Sequence, residues 1–569
     1  MWNGDVRRFY PAKNFVLFSP FHQYKYSMQL TGNYVDVLHQ RIYPATVTIK
    51  EGRIATIVPV SGTYEQYLLP GFVDAHVHVE SSMLIPSEFA RLAVVHGTVA
   101  TVSDPHEIAN VMGVPGVHYM IENGRQVPFH FYFGAPSCVP ATVYETAGAT
   151  VSPADVEALL QREDVKYLTE MMNFPGVLNN DPEVLQKIAA AKKYGKPVDG
   201  HAPGLRGDAA ATYIAAGIST DHECFTREEA LEKLLRGMKI LIREGSAARN
   251  FEALIPLLHD WPEHMMFCSD DKHPDNLVEG HINVLVKRAL DHGIPLFNIL
   301  RAACVNPVLH YGLDTGLLRM GDPADFIIVD NLKSFNVKAT YIKGELVAEN
   351  GVTKIARVAA SAINHFQAAP VRKEDLRISA TGSMARVKVI VALEGELITH
   401  AELASLPVVD GEVVSNTSLD VLKLAVVNRY KQAPVALGFI KNFGLKWGAM
   451  ASSVAHDSHN IIAVGADDES LAEAINAVIG AQGGVSVALK NTPVILPLPV
   501  AGLMSAQDGY QVASQYSAMD KAAKALGSTL AAPFMTLSFM ALLVIPHLKL
   551  SDLGLFNGDT FSFTPVVEP

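Results

Sequence analysis

The feature that most constrains the fold of this chain is an alternation of short apolar strands and helical segments from about residue 70 to residue 311. Each of eight strand-like segments precedes a segment with helical signals, such as 181–194 and 227–238. This order predicts an α/β fold, a (β/α)8 TIM barrel. The predicted strands are 67–79, 98–104, 130–133, 166–170, 197–201, 218–222, 239–243 and 264–270.

Short alternating runs on both sides of this region predict a second, smaller unit. Residues 45–49 and 53–58 have the pattern of hairpin strands, and residues 325–329 and 339–344 repeat it. The simplest interpretation is one small β-sandwich assembled from both flanks of an inserted barrel.

The region after residue 371 again alternates strands and helices. Residues 387–393 and 461–464 have strand patterns, and residues 468–481 have the pattern of an amphipathic helix. Residues 1–27 are aromatic and irregular, and either Met1 or Met28 fits as the start. The predicted domains are an N-terminal extension (1–27), a β-sandwich (28–69 plus 312–365), the barrel (70–311) and a separate C-terminal α/β domain (371–569).

Charge and cysteine content narrow the class of protein. The formal net charge is -12 without a cluster of Lys and Arg, which argues against a nucleic-acid partner. The four cysteines form no C-x-x-C pair, as expected of reduced thiols in a cytoplasmic protein. The most apolar run, residues 529–545, contains Pro533 and is shorter than the roughly 20 residues of a spanning helix. We therefore expect buried core there and no membrane partner.

Ionisable side chains stand at the C-terminal ends of five predicted strands, where barrels of this type place their chemistry. Residues two apart on a strand share a face, so His76 and His78 project together. Singly, each residue also fits a solvated acid, a polar strand position or a helix cap. Together, four imidazoles and two carboxylates suit a pair of divalent ions such as Mn, Fe or Zn bridged by a carboxylate. The predicted ligands are His76, His78, Glu170, His201, His222 and Asp270.

Longer motifs resemble the amidohydrolase superfamily over most of residues 40–350. They include Pro70-Gly71-Phe72-Val73-Asp74-Ala75-His76-Val77-His78, Ser269-Asp270 and the segment 321–326. Within that superfamily, further strings resemble the bacterial adenine deaminases over nearly the whole chain. These strings are 78–83, 103–110, 171–177, 269–274 and 456–460.

The resemblance implies hydrolysis of adenine to hypoxanthine and ammonia by a homo-oligomer, a dimer, with Mn or Fe favoured over Zn. Water between two divalent ions has a strongly lowered pKa, and the resulting hydroxide is expected to attack C6. Asp270 is expected to pass its proton to the departing ammonia. Glu107 is the candidate acid for ring N1, with Asp104 and His106 beside it as substrate contacts. The alternative for these three is helix N-caps and loop polar groups.

Other functions remain open at this stage. Hydantoinases and dihydroorotases resemble the pattern but carry a modified lysine where this chain has Glu170, and Lys166 lies at the start of that strand, so the deaminase branch is favoured. A modified purine or a cyclic amide remains an alternative substrate. A non-catalytic metal-binding protein is disfavoured because no ligand position is apolar. His456 and His459 are interpreted as binding a further ion or ordering a turn, and Cys224 and Cys268 as structural.

Overall fold

The first sheet begins at the start of the part of the chain that the structure describes. The structure is a computed structural model describing residues 27–489 and 492–568, so the predicted extension lies outside it except for Ser27. The first three strands pair antiparallel in order, and the fourth pairs in parallel with the first. The strands are β1 (Ser27–Asp36), β2 (Arg41–Lys50), β3 (Arg53–Pro59) and β4 (Tyr67–Pro70).

Gly71 separates two strands that the sequence pattern joins into one. The expectation of a single strand over 67–79 is wrong, because β4 stays in the first sheet and the chain then enters β5 (Phe72–Val77) of another. A Cβ atom at Gly71 would lie 2.3 Å from a methyl group of Val99. Glycine therefore lets the backbone pass close to the neighbouring strand at the point where it changes sheets.

Eight parallel strands follow, matching the number predicted. Pairing is parallel within β5–β7, within β8 and β9, and within β10–β12. Single bridges join these groups, and the bridge Val77↔Asp270 places the end of the eighth strand beside the first. The remaining strands are β6 (Thr98–Ser103), β7 (His130–Phe133), β8 (Leu168–Met171), β9 (Val198–Gly200), β10 (Thr220–Asp221), β11 (Lys239–Arg243) and β12 (Met265–Cys268).

At least one helix follows each of these strands. The Asp181 side chain caps one helix and that of Thr226 caps another, as their sequences predict. The second ends at Leu234 rather than 238, because the chain turns at Gly237, whose φ is +86°. The helices are α1 (Pro86–Ala93), α2 (His106–Met112), α3 (Val114–Gly124), α4 (Pro153–Leu160), α5 (Phe174–Leu178), α6 (Pro182–Lys193), α7 (Gly207–Ala215), α8 (Arg227–Leu234), α9 (Phe251–Leu254), α10 (Pro274–Glu279), α11 (Ile282–Asp291), α12 (Leu296–Leu300) and α13 (Asn306–Tyr311).

The chain then returns to the first sheet. Strand β13 pairs antiparallel with β4, so strands from both flanks form one eight-stranded sheet in the order β16-β15-β14-β13-β4-β1-β2-β3. Val47, Ile49 and Phe326 belong to a buried cluster that draws on both flanks. The returning strands are β13 (Phe326–Val329), β14 (Val337–Ile342), β15 (Glu345–Glu349) and β16 (Val352–Thr353).

The C-terminal region is built on a nine-stranded sheet whose neighbours are antiparallel except for one pair. The expected α/β alternation is therefore wrong in detail, since several strands follow one another directly without a crossover helix. The elements are β17 (Met384–Ala392), β18 (Thr399–Val409), β19 (Glu412–Val413), β20 (Val421–Val427), β21 (Ala436–Lys441), β22 (Ala449–Ser452), β23 (Ile461–Gly465), α14 (Asp468–Gly480), β24 (Gly484–Leu489), β25 (Thr492–Pro497), α15 (Gly509–Ala525), α16 (Pro533–Ser538), β26 (Leu548–Ser551), β27 (Gly554–Asn557) and β28 (Ser562–Phe563).

This region shares a hydrophobic core with the parallel strands β5–β12, whereas the sequence predicted a separate unit. One continuous hydrophobic cluster includes Val77 and Leu168 together with Met450 and Phe539. The apolar run 529–545 belongs to the same core and contains the short helix α16. Within residues 27–489 and 492–568, no helix is long and apolar enough to cross a bilayer.

Candidate active site

The six predicted metal ligands converge at the C-terminal ends of the parallel strands β5–β12. The Nε2 atoms of His76 and His78 lie 3.2 Å apart, and Oδ1 of Asp270 lies 3.3 Å from the first and 3.1 Å from the second. His201 and His222 follow β9 and β10 directly. None of the six residues is more than 6% exposed, so bulk water does not supply hydrogen bonds to these side chains.

Glu170 lies between the two groups of histidines. Its Oε1 atom is 3.2 Å from Nε2 of His78, while its Oε2 atom is 2.7 Å from Nδ1 of His201 and 3.2 Å from Nε2 of His222. Burial alone would favour the neutral acid, but the histidines outweigh it and hold the pKa of Glu170 well below its usual range. The carboxylate is therefore ionised and offers one oxygen to each side.

Backbone hydrogen bonds hold Asp270 beside the first strand. Its N–H donates to the carbonyl of His76 at 2.9 Å, and its φ of +51° lies in the left-handed region. Its Oδ2 atom accepts a hydrogen bond from Arg243 at 2.7 Å, which leaves Oδ1 facing the histidines. Burial raises the pKa of Asp270, but Arg243 and the histidines more than offset this and keep it well below the usual range.

Arg243 is a buried cation that the sequence reading missed. It ends β11, and its guanidinium bonds Asp270, Glu223 and the carbonyl of Ala248. The Oε1 atom of Glu223 lies 3.6 Å from Nδ1 of His201. Glu223 therefore links Arg243 to the histidine cluster. Arg243 also stands at the C-terminal end of a strand, but a guanidinium is not a metal ligand, so the predicted set of ligands does not include it.

The residues predicted to contact substrate lie at the other side of the cluster. Asp104 follows β6, and His106 begins α2 with its Nδ1 atom 3.1 Å from Oδ2 of Asp104 and 3.5 Å from Oε1 of Glu170. Glu107 contacts the C-terminal region, because His456 and His459 both lie against its carboxylate. The sequence motif 456–460 contains both histidines, but nothing in it indicates that they contact Glu107.

A small cavity lies beside these groups and is lined by residues of both regions of the chain. Its volume is about 20 Å³, room for about one water molecule and too little for a purine. Apolar side chains of the C-terminal region, Leu397, Phe539 and Leu542, line it opposite the histidines. Met172 lines this cavity and also an adjacent one of about 550 Å³.

The donor set fits divalent ions. Atoms that bind one ion at about 2.1 Å in tetrahedral geometry lie about 3.4 Å apart. The contacts among His76, His78 and Asp270 are close to this value. Glu170 belongs to two groups of possible ligands, one with His78, Asp104 and His106 and one with His76 and His222. Among the described residues, Glu107, His456 and His459 form another such group.

Comparison with known proteins assigns the chain to a family. Residues 67–347 match the amidohydrolase family, and residues 396–562 match the adenine deaminase C-terminal domain. Adenine deaminase of Salinibacter ruber is 59% identical over 94% of this chain and 98% of its own length. That of Sulfurovum sp. is 55% identical over 94% of this chain and 99% of its own. The chain belongs to the adenine deaminase family.

Membership in the adenine deaminase family agrees with the resemblance read from the motifs and covers both regions that form the site. The match to the C-terminal domain includes Leu397, His456 and Phe539, which line the cavity. The amidohydrolase match includes all six predicted ligands. The amidohydrolase family is generally metal-dependent, in agreement with the buried histidine and carboxylate groups.

Proposed function

We propose that this chain hydrolyses adenine to hypoxanthine and ammonia. The observation that carries the proposal is the convergence of four histidines and two carboxylates at strand ends, in a chain of the adenine deaminase family. A cyclic amide or a modified purine is disfavoured as substrate by the same family membership.

The finer architecture belongs to the same proposal. We infer a (β/α)8 TIM barrel over 70–311, a β-sandwich from 28–69 plus 312–365, and a C-terminal domain over 371–569. The eight parallel strands and the bridge between Val77 and Asp270 support the barrel. The shared sheet of β4 and β13 supports the paired flanks.

Two divalent ions would be held by this cluster, with Mn or Fe favoured and Zn also compatible. His76, His78 and Asp270 would hold one side, His201 and His222 the other, and Glu170 would lie between them. A divalent ion supplies hydroxide at neutral pH by lowering the pKa of bound water. A homodimer, a cytoplasmic location and the absence of a nucleic-acid partner remain predictions.

The chain's own residues would handle the protons. Asp270 would accept a proton from the attacking water and pass it to the amine that leaves C6. Its Oδ2 atom accepts a hydrogen bond from Arg243, and its Oδ1 atom faces the Nε2 atoms of His76 and His78. Asp104, His106 and Glu107 would form the wall that contacts the purine.

The test uses Asp270→Asn in manganese-loaded protein. The variant should keep most of its metal while losing most of the adenine deamination rate, because an amide cannot accept the proton. The rate is measured by loss of the adenine ultraviolet band together with ammonia release, with hydantoin as the competing substrate. Asp314→Asn, at an exposed side chain outside the site, is the matched control. A wild-type chain that leaves adenine unchanged, or an active Asp270→Asn, would contradict the proposal.

A further inference from the structure

A larger cavity adjoins the small one at the C-terminal ends of β7 and β8. Its volume is about 550 Å³, which falls in the range of about 300–1,000 Å³ found for small-molecule sites. The loop after β7 and the residues after β8 supply most of its lining, and Val544 and Phe561 of the C-terminal region contribute as well. Val143 belongs to the lining and is 82% exposed, so the cavity opens to solvent. This cavity has room for a purine, whereas the one beside the histidines has room for about one water molecule.

Aromatic rings give the larger cavity surfaces on which a flat base can stack. Phe174 begins α5, and Tyr144 lies in the loop after β7 with its ring edge-on to that of Phe561, at 5.6 Å between centroids. All three side chains line the cavity. Stacking on an aromatic side chain suits any base, because every base has a π-face. The lining therefore favours a planar heterocycle.

The charged side chains of this lining are already engaged within the protein. Among the described residues that line the cavity, Lys187 is the one cation. Its Nζ atom lies 2.9 Å from Oε1 of Glu183 and donates to the carbonyl of Ser137 at 3.0 Å. Asp181 accepts hydrogen bonds from the first turn of α6. Phosphate groups are bound by free Arg or Lys side chains, so the cavity suits an uncharged base better than a nucleotide.

Met172 lines both cavities and stands between them. It follows β8 directly and is 3% exposed. Its backbone is fixed, because its N–H donates to the carbonyl of Glu170 at 3.1 Å and its own carbonyl accepts from the N–H of Phe174 at 2.8 Å. The side chain is unbranched with three rotatable bonds, so it changes conformation more readily than a branched one. Met172 is thus a movable partition on a fixed backbone.

We propose that the larger cavity binds adenine before the base reaches the predicted metal ligands, and that Met172 is the gate through which it passes. This rests on the proposed function. Adenine enters from solvent and stacks on the aromatic lining, and rotation of the Met172 side chain then joins the two cavities. C6 thereby reaches the histidine cluster. Hypoxanthine, which is also planar and uncharged, leaves by the same route.

Cys138 provides a probe of occupancy. It lines the larger cavity, whereas the other three cysteines are fully buried and line neither cavity. Hypoxanthine is the product, so it occupies manganese-loaded wild type without turnover. At about ten times its Kd, it should slow alkylation of Cys138 by iodoacetamide about tenfold, because about nine-tenths of the sites are then filled. Mass spectrometry of the modified peptide measures the rate, and adenosine monophosphate is the comparison ligand that should protect little.

The gate is tested with Met172→Ile. Isoleucine is apolar and close to methionine in size, but its branch at Cβ restricts χ1. Passage should slow, so kcat/KM for adenine should fall about tenfold at unchanged manganese content, the rate equivalent of moving a side chain off its preferred rotamer. Protection of Cys138 by hypoxanthine should stay as in wild type, because the larger cavity lies before the gate. Met172→Phe, which is bulkier and has fewer rotatable bonds, provides a second variant if the first does not fold.

Met120→Ile is the matched control and should behave as wild type, since Met120 is a fully buried methionine of α3 that lines neither cavity. Wild-type kcat/KM in the Met172 variants would overturn the proposal. Loss of Cys138 protection together with loss of turnover in them would also overturn it, because hypoxanthine would then protect from the histidine cluster itself. Equal protection by adenosine monophosphate, or wild type that deaminates adenine without protection of Cys138, would do the same. Wild type that does not deaminate adenine contradicts the proposed function instead, so the two failures are distinguishable.

Discussion

Replacing Arg243 by methionine should both destabilise the protein and change its pH dependence. The side chain is 1% exposed, and its guanidinium bonds Asp270, Glu223 and the carbonyl of Ala248. Methionine is apolar and leaves two buried carboxylates without their cation. Removing one partner of a buried ion pair costs about 3–5 kcal/mol.

That cost corresponds to an increase of about 10²- to 10⁴-fold in the population of the opened state, at about 1.4 kcal/mol per factor of ten. Native-state proteolysis measures this population when opening is fast relative to cleavage. Arg206→Met is the control, because Arg206 pairs with Glu232 at the surface, where ion pairs contribute little. Arg243→Lys should recover part of the stability, since it keeps the charge but not the planar fork.

The pH profile supplies the second measurement. Arg243 lowers the pKa of Asp270, and its removal should raise that pKa. In the proposed mechanism Asp270 accepts a proton and must be ionised, so the acidic limb of kcat/KM should move to higher pH in Arg243→Met. A variant with wild-type resistance to protease and an unmoved acidic limb would refute this account of the Arg243 contacts.

Three further predictions test the bridging ligand, a buried lysine and a close approach of strands. Glu170→Gln should lower metal content in elemental analysis, because an amide bridges two cations poorly; normal occupancy would argue against bridging. Burial lowers the pKa of Lys549 to about 7, so between pH 7 and 9 the folded protein loses a proton that the unfolded chain keeps. The stability of the wild type relative to Lys549→Met should therefore rise by about 2 kcal/mol over this range, as measured by denaturant unfolding. A stability difference that stays constant with pH would contradict this prediction. Gly71→Ala should cost about 1–3 kcal/mol in the same measurement, because its Cβ meets a buried valine, while Gly480→Ala, with open space around it, should not.

Much of the candidate site follows from local patterns and one architectural rule. The two-residue period of a strand places His76 and His78 on one face, and their Nε2 atoms lie 3.2 Å apart. Barrels of the predicted type place functional residues at the C-terminal ends of their strands. Four further predicted ligands stand at or just beyond such an end: Glu170, His201, His222 and Asp270. Arg243 also stands at a strand end, so the same position-based argument identifies it once cationic side chains are included.

Other features were beyond the reach of local patterns. Apolar residues continue through Gly71, so hydrophobicity could not show that β4 and β5 belong to different sheets. Strand-like runs after residue 371 carry no sign of which strand each will pair with, so the antiparallel order of that sheet was not predicted.

The sequence by itself determined the strand-helix alternation and the positions of the predicted ligands at strand ends, because these depend on periodicity and residue chemistry close in the chain. Only the tertiary structure decided that His456 and His459 meet Glu107, about 350 residues earlier, and that Arg243 holds Asp270. Such contacts depend on how whole elements pack, since short-range patterns contain no information about which distant surface a buried side chain will face.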